Sequence, residues 1–203
     1  MGPPTAYDRK DAFHQRAKRE GYRSRAAYKL LEIDRAHGLL RRGARVADLG
    51  CWPGGWMQVA AEAIGPEGRV VGVDLAALEP PFEIANVFSI QGDFAEPPVL
   101  EEVLAKLGSA ADVLLSDAAP KLSGVRATDR AREEALLAAI EVAIPKLLAP
   151  GGALLVKLLD CPEAVGFVKR TRSRFDSARE LRPEASRKGS SERYLMAKGF
   201  RPA

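Results

Sequence analysis

The 203-residue chain has only two cysteines, Cys51 and Cys161, and two histidines, His14 and His37. Two cysteines exclude a disulfide-stapled scaffold and point to a reducing, cytoplasmic setting. Cysteine and histidine this scarce and scattered predict no metal site. No apolar run approaches the roughly 18–20 residues of a membrane span, so no membrane contact is expected. The opening MGPPTAYDRKDAFHQRAKRE carries no hydrophobic signal core. Internal repeats and low-complexity stretches are also missing. What is present is an ordinary hydrophobic fraction of 46%, enough for a folded core and against wholesale disorder. The length suits one domain, and a monomer is expected.

A net charge of +4 hides an uneven distribution. Residues 1–45 carry 12 Lys and Arg against 5 Asp and Glu, and residues 165–203 carry 11 against 4. That leaves −10 on residues 46–164. Basic ends around an acidic body suggest a polyanionic partner, although solvated amphipathic helices produce the same pattern. Residues 1–21 read as a basic N-terminal segment and 22–203 as a single domain.

The hydrophobic pattern predicts a short basic helix over 9–19 and a better one over 24–37, capped by Ser24. Strands are expected at 45–50, 69–75, 87–94, 111–117 and 152–159. Helices are expected at 54–64, 99–107, 129–149 and 162–174. Two late strands, 178–183 and 193–199, suit an antiparallel hairpin at one edge. The central strands are continuously apolar, which implies burial on both faces. The fold class is therefore α/β, a mostly parallel sheet with helices on each side. Met57, Leu136, Leu137 and Ile140 read as core.

The stretch RVADLGCWPGGWMQVAAEAIG (45–65) joins a strand to a helix through Gly50, Pro53, Gly54 and Gly55. Glycine lets a ligand approach the main chain, and the helix N-terminus attracts a carboxylate or phosphate. Asp74 closes the next strand 20 residues beyond Gly54, where an acid that binds ribose hydroxyls belongs. Asp48 ends the first strand. Asp93, followed by Phe94, sits where an acid can accept from an adenine amino group. The turn is not G-x-G-x-x-G and has no phosphate-binding lysine. It favours a nucleoside without phosphates, such as S-adenosylmethionine, over NAD or ATP. Two further strand ends carry charge, Asp117 in LLSDAAP and Lys157 in LLVKLL, and they suit each other as partners.

These segments also occur in a family order. RSRAAYKL (23–30), DLGCWPGGW (48–56), GVDL (72–75), QGDF (91–94), SDAAPKLSG (116–124), APGGALLVK (149–157) and SRKGSSERY (186–194) resemble the FtsJ family of ribosomal-RNA ribose 2′-O-methyltransferases. The resemblance runs from about Tyr22 to Gly199. It implies a Rossmann-like methyltransferase fold with a seven-stranded, mostly parallel sheet and an antiparallel edge strand. It implies S-adenosylmethionine as cofactor, no metal, and RNA of the large ribosomal subunit as partner. The family's Lys-Asp-Lys-Glu tetrad falls on Lys29, Asp117, Lys157 and Glu192. Its cofactor contacts fall on Gly54, Trp56, Asp74, Asp93 and Asp117. Three places depart from the family. Cys51 and Trp52 replace two alanines, Lys121 replaces asparagine, and LLDCPEA follows Lys157. Trp52 either covers the cofactor or packs outside it.

In this reading Lys157 meets the ribose hydroxyl, either accepting its proton or positioning it. Asp117 orients Lys157, while Lys29 and Glu192 fix the ribose. Arg9, Lys10, Arg16, Lys18, Arg19, Arg23, Arg25, Arg187 and Lys188 are candidates for RNA phosphates. Tyr22 and Tyr28 are candidates for base stacking or helix packing. The alternatives are methylation of tRNA or an mRNA cap, a non-catalytic RNA-binding protein on the same fold, and a small-molecule methyltransferase.

Overall fold

Strands that are apolar on both faces are stable only when helices cover each side. The computed structural model describes residues 14–121, 123–185 and 192–202 and has this layering. The strands are β1 (Arg45–Leu49), β2 (Arg69–Asp74), β3 (Val87–Gln91), β4 (Ala111–Ser116), β5 (Leu148–Leu158), β6 (Phe175–Leu181) and β7 (Arg193–Phe200). The helices are α1 (Ala27–His37), α2 (Gly55–Ile64), α3 (Pro97–Leu107), α4 (Arg126–Leu147) and α5 (Pro162–Arg172). Residues 14–19 are also helical.

The sheet order is β3-β2-β1-β4-β5-β7-β6. β1 to β5 pair in parallel, and β7 runs antiparallel to both β5 and β6. The late strands thus form the expected hairpin at one edge, with the later strand lying inside. That order sets Tyr194 of β7 opposite Lys157 of β5. The two faces bury separate cores. Val46, Leu115 and Leu155 pack with Met57 and Ile64 on one side. Leu49, Leu114 and Leu154 pack with Leu137, Ile140 and Phe167 on the other. Leu136 is only half-buried and packs at the margin of that second core.

Several boundaries differ from expectation for identifiable reasons. Ser24 does not cap α1, which starts at Ala27 behind Ala26 with no side-chain cap. The Ser24 hydroxyl instead lies against Gly55, 2.2 Å from where a Cβ there would stand. α3 begins two residues early because its prolines suit the first helical positions. α4 begins at Arg126 rather than 129; the Asp129 carboxylate there accepts the Ser123 and Gly124 amides and orders the entry. β3 ends at Gln91, since Asp93 turns the chain by accepting the Ala95 amide at 2.9 Å. β6 starts earlier, where the Phe175 ring meets that of Phe200 at 5.3 Å.

The site is positioned by the switch between β1 and β4. Successive connections leave β1 in opposite directions across the sheet, so a crevice opens beyond the carboxyl ends of these two strands. Gly50 and Ala118 close its floor. Gly50 has φ +75°, and a Cβ there would stand 2.4 Å from the Ala118 Cβ. Gly50→Ala therefore combines a left-handed backbone with a steric clash. It should destabilise the protein by about 2–4 kcal/mol. For a chain of this size the melting temperature should fall by roughly 5–10 °C, read by circular dichroism.

Candidate active site

Strand ends deliver the charged groups. Asp117 follows β4, and Lys157 lies one residue before the end of β5. The Lys157 ammonium is 3.2 Å from Asp117 Oδ1 and also donates to the Asp117 carbonyl. Lys29, from α1, approaches from the other side. Its Nζ is 3.0 Å from Glu192 Oε2 and 3.8 Å from Asp117 Oδ1. All four members of the sequence-predicted tetrad are thus in one cluster. Both lysines are more than nine-tenths buried, and two carboxylates balance their charge.

A fifth member escaped the sequence reading. Tyr194 is fully buried, donates its hydroxyl proton to Asp117 Oδ1 at 2.6 Å, and accepts from Lys29 Nζ at 2.9 Å. Burial pushes its phenol well above the usual range, and the Asp117 charge adds to that, so it remains a proton donor. The available signal was a tyrosine in an apolar strand. Only the β5–β7 register reveals its partner.

Another missed group is Glu133, buried in the middle of α4. Its Oε1 accepts the Leu159 amide at 3.2 Å, just beyond Lys157, and among the described residues its Oε2 has no hydrogen-bond partner. Burial raises its carboxyl pKa, opposed by the Leu159 amide and the Lys157 charge. The departure from the family pattern after Lys157 is therefore anchored to α4.

Two hollows meet beside the cluster. The smaller lies between Ser24, Ala26, Asp48 and Trp56. The larger is a groove of about 590 Å³ that includes Asp74, Asp93, Phe94, Leu136 and Lys157. Asp48 is completely buried, and among the described residues neither of its oxygens has a hydrogen-bond partner. Burial holds its carboxyl well above the usual range, and the charges of Asp117 and Asp74 act the same way. Asp74 accepts the Ala76 and Trp52 amides at 2.9 and 3.0 Å. The Trp56 indole N–H donates to the Ala26 carbonyl at 2.8 Å, and its ring lies 5.9 Å from that of Tyr194. Pro53 and Gly54 lead into α2. At Gly54 a Cβ would stand 3.0 Å from both Arg23 Cδ and the Phe82 ring, so these glycines admit the protein's own side chains as well.

The orphaned Asp48 carboxylate calls for a cationic donor. Next to it, the N-terminus of α2 suits a carboxylate. The groove has the size of a nucleoside site and leads to Asp74 and Asp93. An ammonium, a carboxylate and a nucleoside together describe S-adenosylmethionine, and the residues present fit it. Among the described residues no group of three metal ligands is assembled.

The basic candidates separate. Lys18 and Arg19 are exposed. Arg16 pairs with Glu20 at 2.8 Å. Arg23 lies over the Phe82 ring at 3.9 Å and donates to the Pro81 carbonyl. Arg25 is half-buried and its charge reaches Tyr194. Tyr28 is buried and meets Tyr22 edge to face at 5.7 Å, the packing alternative for both. Arg9, Lys10, Arg187 and Lys188 lie outside the described residues.

The fold and this arrangement define an S-adenosylmethionine-dependent methyltransferase. Residues 22–200 match the FtsJ-like methyltransferase family, and the chain belongs to that family. It is similar to a protein named ribosomal RNA large subunit methyltransferase E from Methanothrix thermoacetophila, 45% identical over 95% of this chain and 74% of that protein. A protein of the same name from Methanothermobacter thermautotrophicus is 40% identical over 99% of this chain and 95% of its own. Among solved structures, a protein described as a ribosomal RNA methyltransferase from Plasmodium falciparum superposes with a TM-score of 0.77. It is 28% identical, over 90% of this chain and all of that one. The fibrillarin of Aeropyrum pernix, solved with natively bound S-adenosyl-L-methionine, shares the fold at TM-score 0.63 and 20% identity, over 87% of this chain and 75% of that one.

Asp48 yields a test of stability against pH. A carboxyl whose folded pKa exceeds its unfolded value holds its proton more tightly when folded. Its effect on stability is most favourable below the ordinary carboxylate range and worsens as pH rises toward the raised value. Asp48→Asn should therefore stabilise the ligand-free protein at pH 8 by about 1–3 kcal/mol in denaturant unfolding. The gap should narrow as pH is lowered toward 5. The same variant should bind S-adenosylmethionine at least tenfold more weakly.

Proposed function

We propose that this protein methylates a ribose 2′-hydroxyl of RNA, a uridine of large-subunit ribosomal RNA in the assembled subunit. The observation that carries the reading is the closed cluster of Lys29, Asp117, Lys157 and Glu192 beside the orphaned Asp48. The names of the relatives favour the ribosomal substrate over tRNA or an mRNA cap. An intact, fully paired tetrad favours catalysis over a purely binding role. The protein acts as a cytoplasmic monomer in this reading.

S-adenosylmethionine, when bound, supplies an electrophilic methyl group. Asp48, Gly54 and the start of α2 would hold its amino-acid end, with Asp74, Asp93 and Phe94 at the nucleoside. Lys157 does the proton work. Among the described residues, the Asp117 carbonyl and Oδ1 take up two of the directions around Lys157 Nζ, leaving a third for the incoming hydroxyl. The hydroxyl oxygen would take the methyl carbon as that carbon's bond to the donor's sulfur breaks and leaves a neutral thioether, and its proton would pass to the lone pair of Lys157 Nζ in the amine form, whose position Asp117 fixes. Tyr194 and Lys29 hold Asp117 in turn, and Glu192 holds Lys29. Burial of the two lysines keeps these groups in place. The exposed Lys18 and Arg19, with Arg16, Arg23 and Arg25, flank the N-terminal side for RNA phosphates; Arg187 and Lys188 belong to the opposite side in sequence.

Methyl-labelled cofactor incubated with unmodified large subunits, free ribosomal RNA and tRNA tests the reading. Label is expected in subunits, at one alkali-resistant linkage. Lys157→Ala should lower that incorporation by about 10²–10⁴-fold. Label only in tRNA would overturn the substrate, and cofactor binding with no label in any RNA would overturn the activity. Tyr194→Phe should keep cofactor affinity but lower kcat about tenfold, because Asp117 loses the hydrogen bond that Tyr194 donates. An unchanged kcat would remove Tyr194 from the mechanism.

A further inference from the structure

Trp52 has no role in the site as described so far. It is 59% exposed, while the chain's other tryptophan, Trp56, is buried. Among the described residues no ring contact or side-chain hydrogen bond holds its indole. Its backbone is nonetheless fixed, because its amide donates to Asp74 Oδ2 at 3.0 Å. An exposed indole on a pinned backbone is a costly surface feature unless something covers it.

Its position indicates what does. Gly50, Trp52 and Asp117 are the three residues common to the Asp48 hollow and the larger nucleoside groove. A ligand with its ammonium at Asp48 and its nucleoside at Asp74 must pass this junction. In S-adenosylmethionine the atom between those two ends is the sulfonium sulfur. The junction therefore brings a carboxylate, Asp117, and an aromatic side chain, Trp52, to that cation, and both groups attract positive charge. The demethylated product carries a neutral thioether at the same place and gains nothing from either.

We infer that Trp52 is a specificity-determining residue that covers the junction of the two hollows and favours the sulfonium donor over its thioether product. The inference rests on the cofactor reading above and extends it to product release. An enzyme that holds the charged donor more firmly than the neutral product is less inhibited by what it makes. Trp52 thereby takes up the space left by the small residues usual at this turn in the family.

The test uses the full chain without RNA. Wild type, Trp52→Phe and Trp52→Ala are titrated calorimetrically with S-adenosylmethionine and with S-adenosylhomocysteine. Intrinsic fluorescence is followed in parallel. Melting temperatures should agree between the three proteins, since the side chain is exposed. The donor should quench the long-wavelength emission of wild type, and this change should vanish in both variants. In Trp52→Ala the donor's Kd should rise about 2- to 5-fold relative to the product's, the range of a partly exposed cation–π contact. Trp52→Phe should retain much of the preference. Equal weakening of both ligands would overturn the inference and leave Trp52 as an apolar cover. Unchanged affinities with weaker RNA binding would also overturn it, making the indole a base-stacking platform. Failure of wild type to bind the donor at all would instead defeat the cofactor reading itself.

Discussion

One carboxylate oxygen, Asp117 Oδ1, organises this protein. It takes a hydrogen bond from Tyr194 and ion pairs from Lys157 and Lys29. A carboxylate so enclosed is stable only if its donors arrive together, because removing one leaves the others buried without full compensation. The donors come from α1, β5 and β7, and the acceptor from the loop after β4. The parallel pairing of β4 with β5 and the antiparallel insertion of β7 are therefore requirements of the cluster. A sheet that ended at β5 would bring Lys157 to Asp117 but would leave Tyr194 and Glu192 elsewhere.

A second carboxylate is left uncompensated by the protein. Asp48 sits at the same edge of the sheet with both oxygens unpaired among the described residues, and burial, helped by the charges of Asp117 and Asp74, raises its pKa. Such a group is tolerated where a ligand supplies the missing charge, and stability is then given up for binding. The contrast with Asp117 separates the two halves of the site. Lys29, Asp117, Lys157 and Glu192 pair with one another in the free protein, and their formal charges cancel. Asp48 has no such partner among the described residues. Trp52 stands where the two meet.

The order of elements was legible in the sequence because it rests on local patterning. Alternating apolar strands and amphipathic helices announced a parallel sheet, and the glycine turn after Asp48 announced its binding edge. Boundaries slipped where a side chain was committed elsewhere. Ser24 looked like a helix cap, but its hydroxyl fills the space that Gly55 leaves open. Tyr22 and Tyr28 left stacking and packing undecided, and their edge-to-face contact under Glu20 and Arg16 decided it.

By itself the sequence determined the fold class, the methyltransferase family and the residue types at each strand end, since motif order and hydrophobic period are properties of the chain. Only the tertiary structure decided which side chains share a charge. Tyr194 entered the cluster through a cross-strand register 37 residues from Lys157 along the chain. Glu133 came to lie beside Leu159 because α4 packs across β5. Asp48 is buried where no hydrogen-bond partner reaches it among the described residues. Pairing and desolvation depend on what surrounds a group in three dimensions, and one-dimensional spacing does not contain that information.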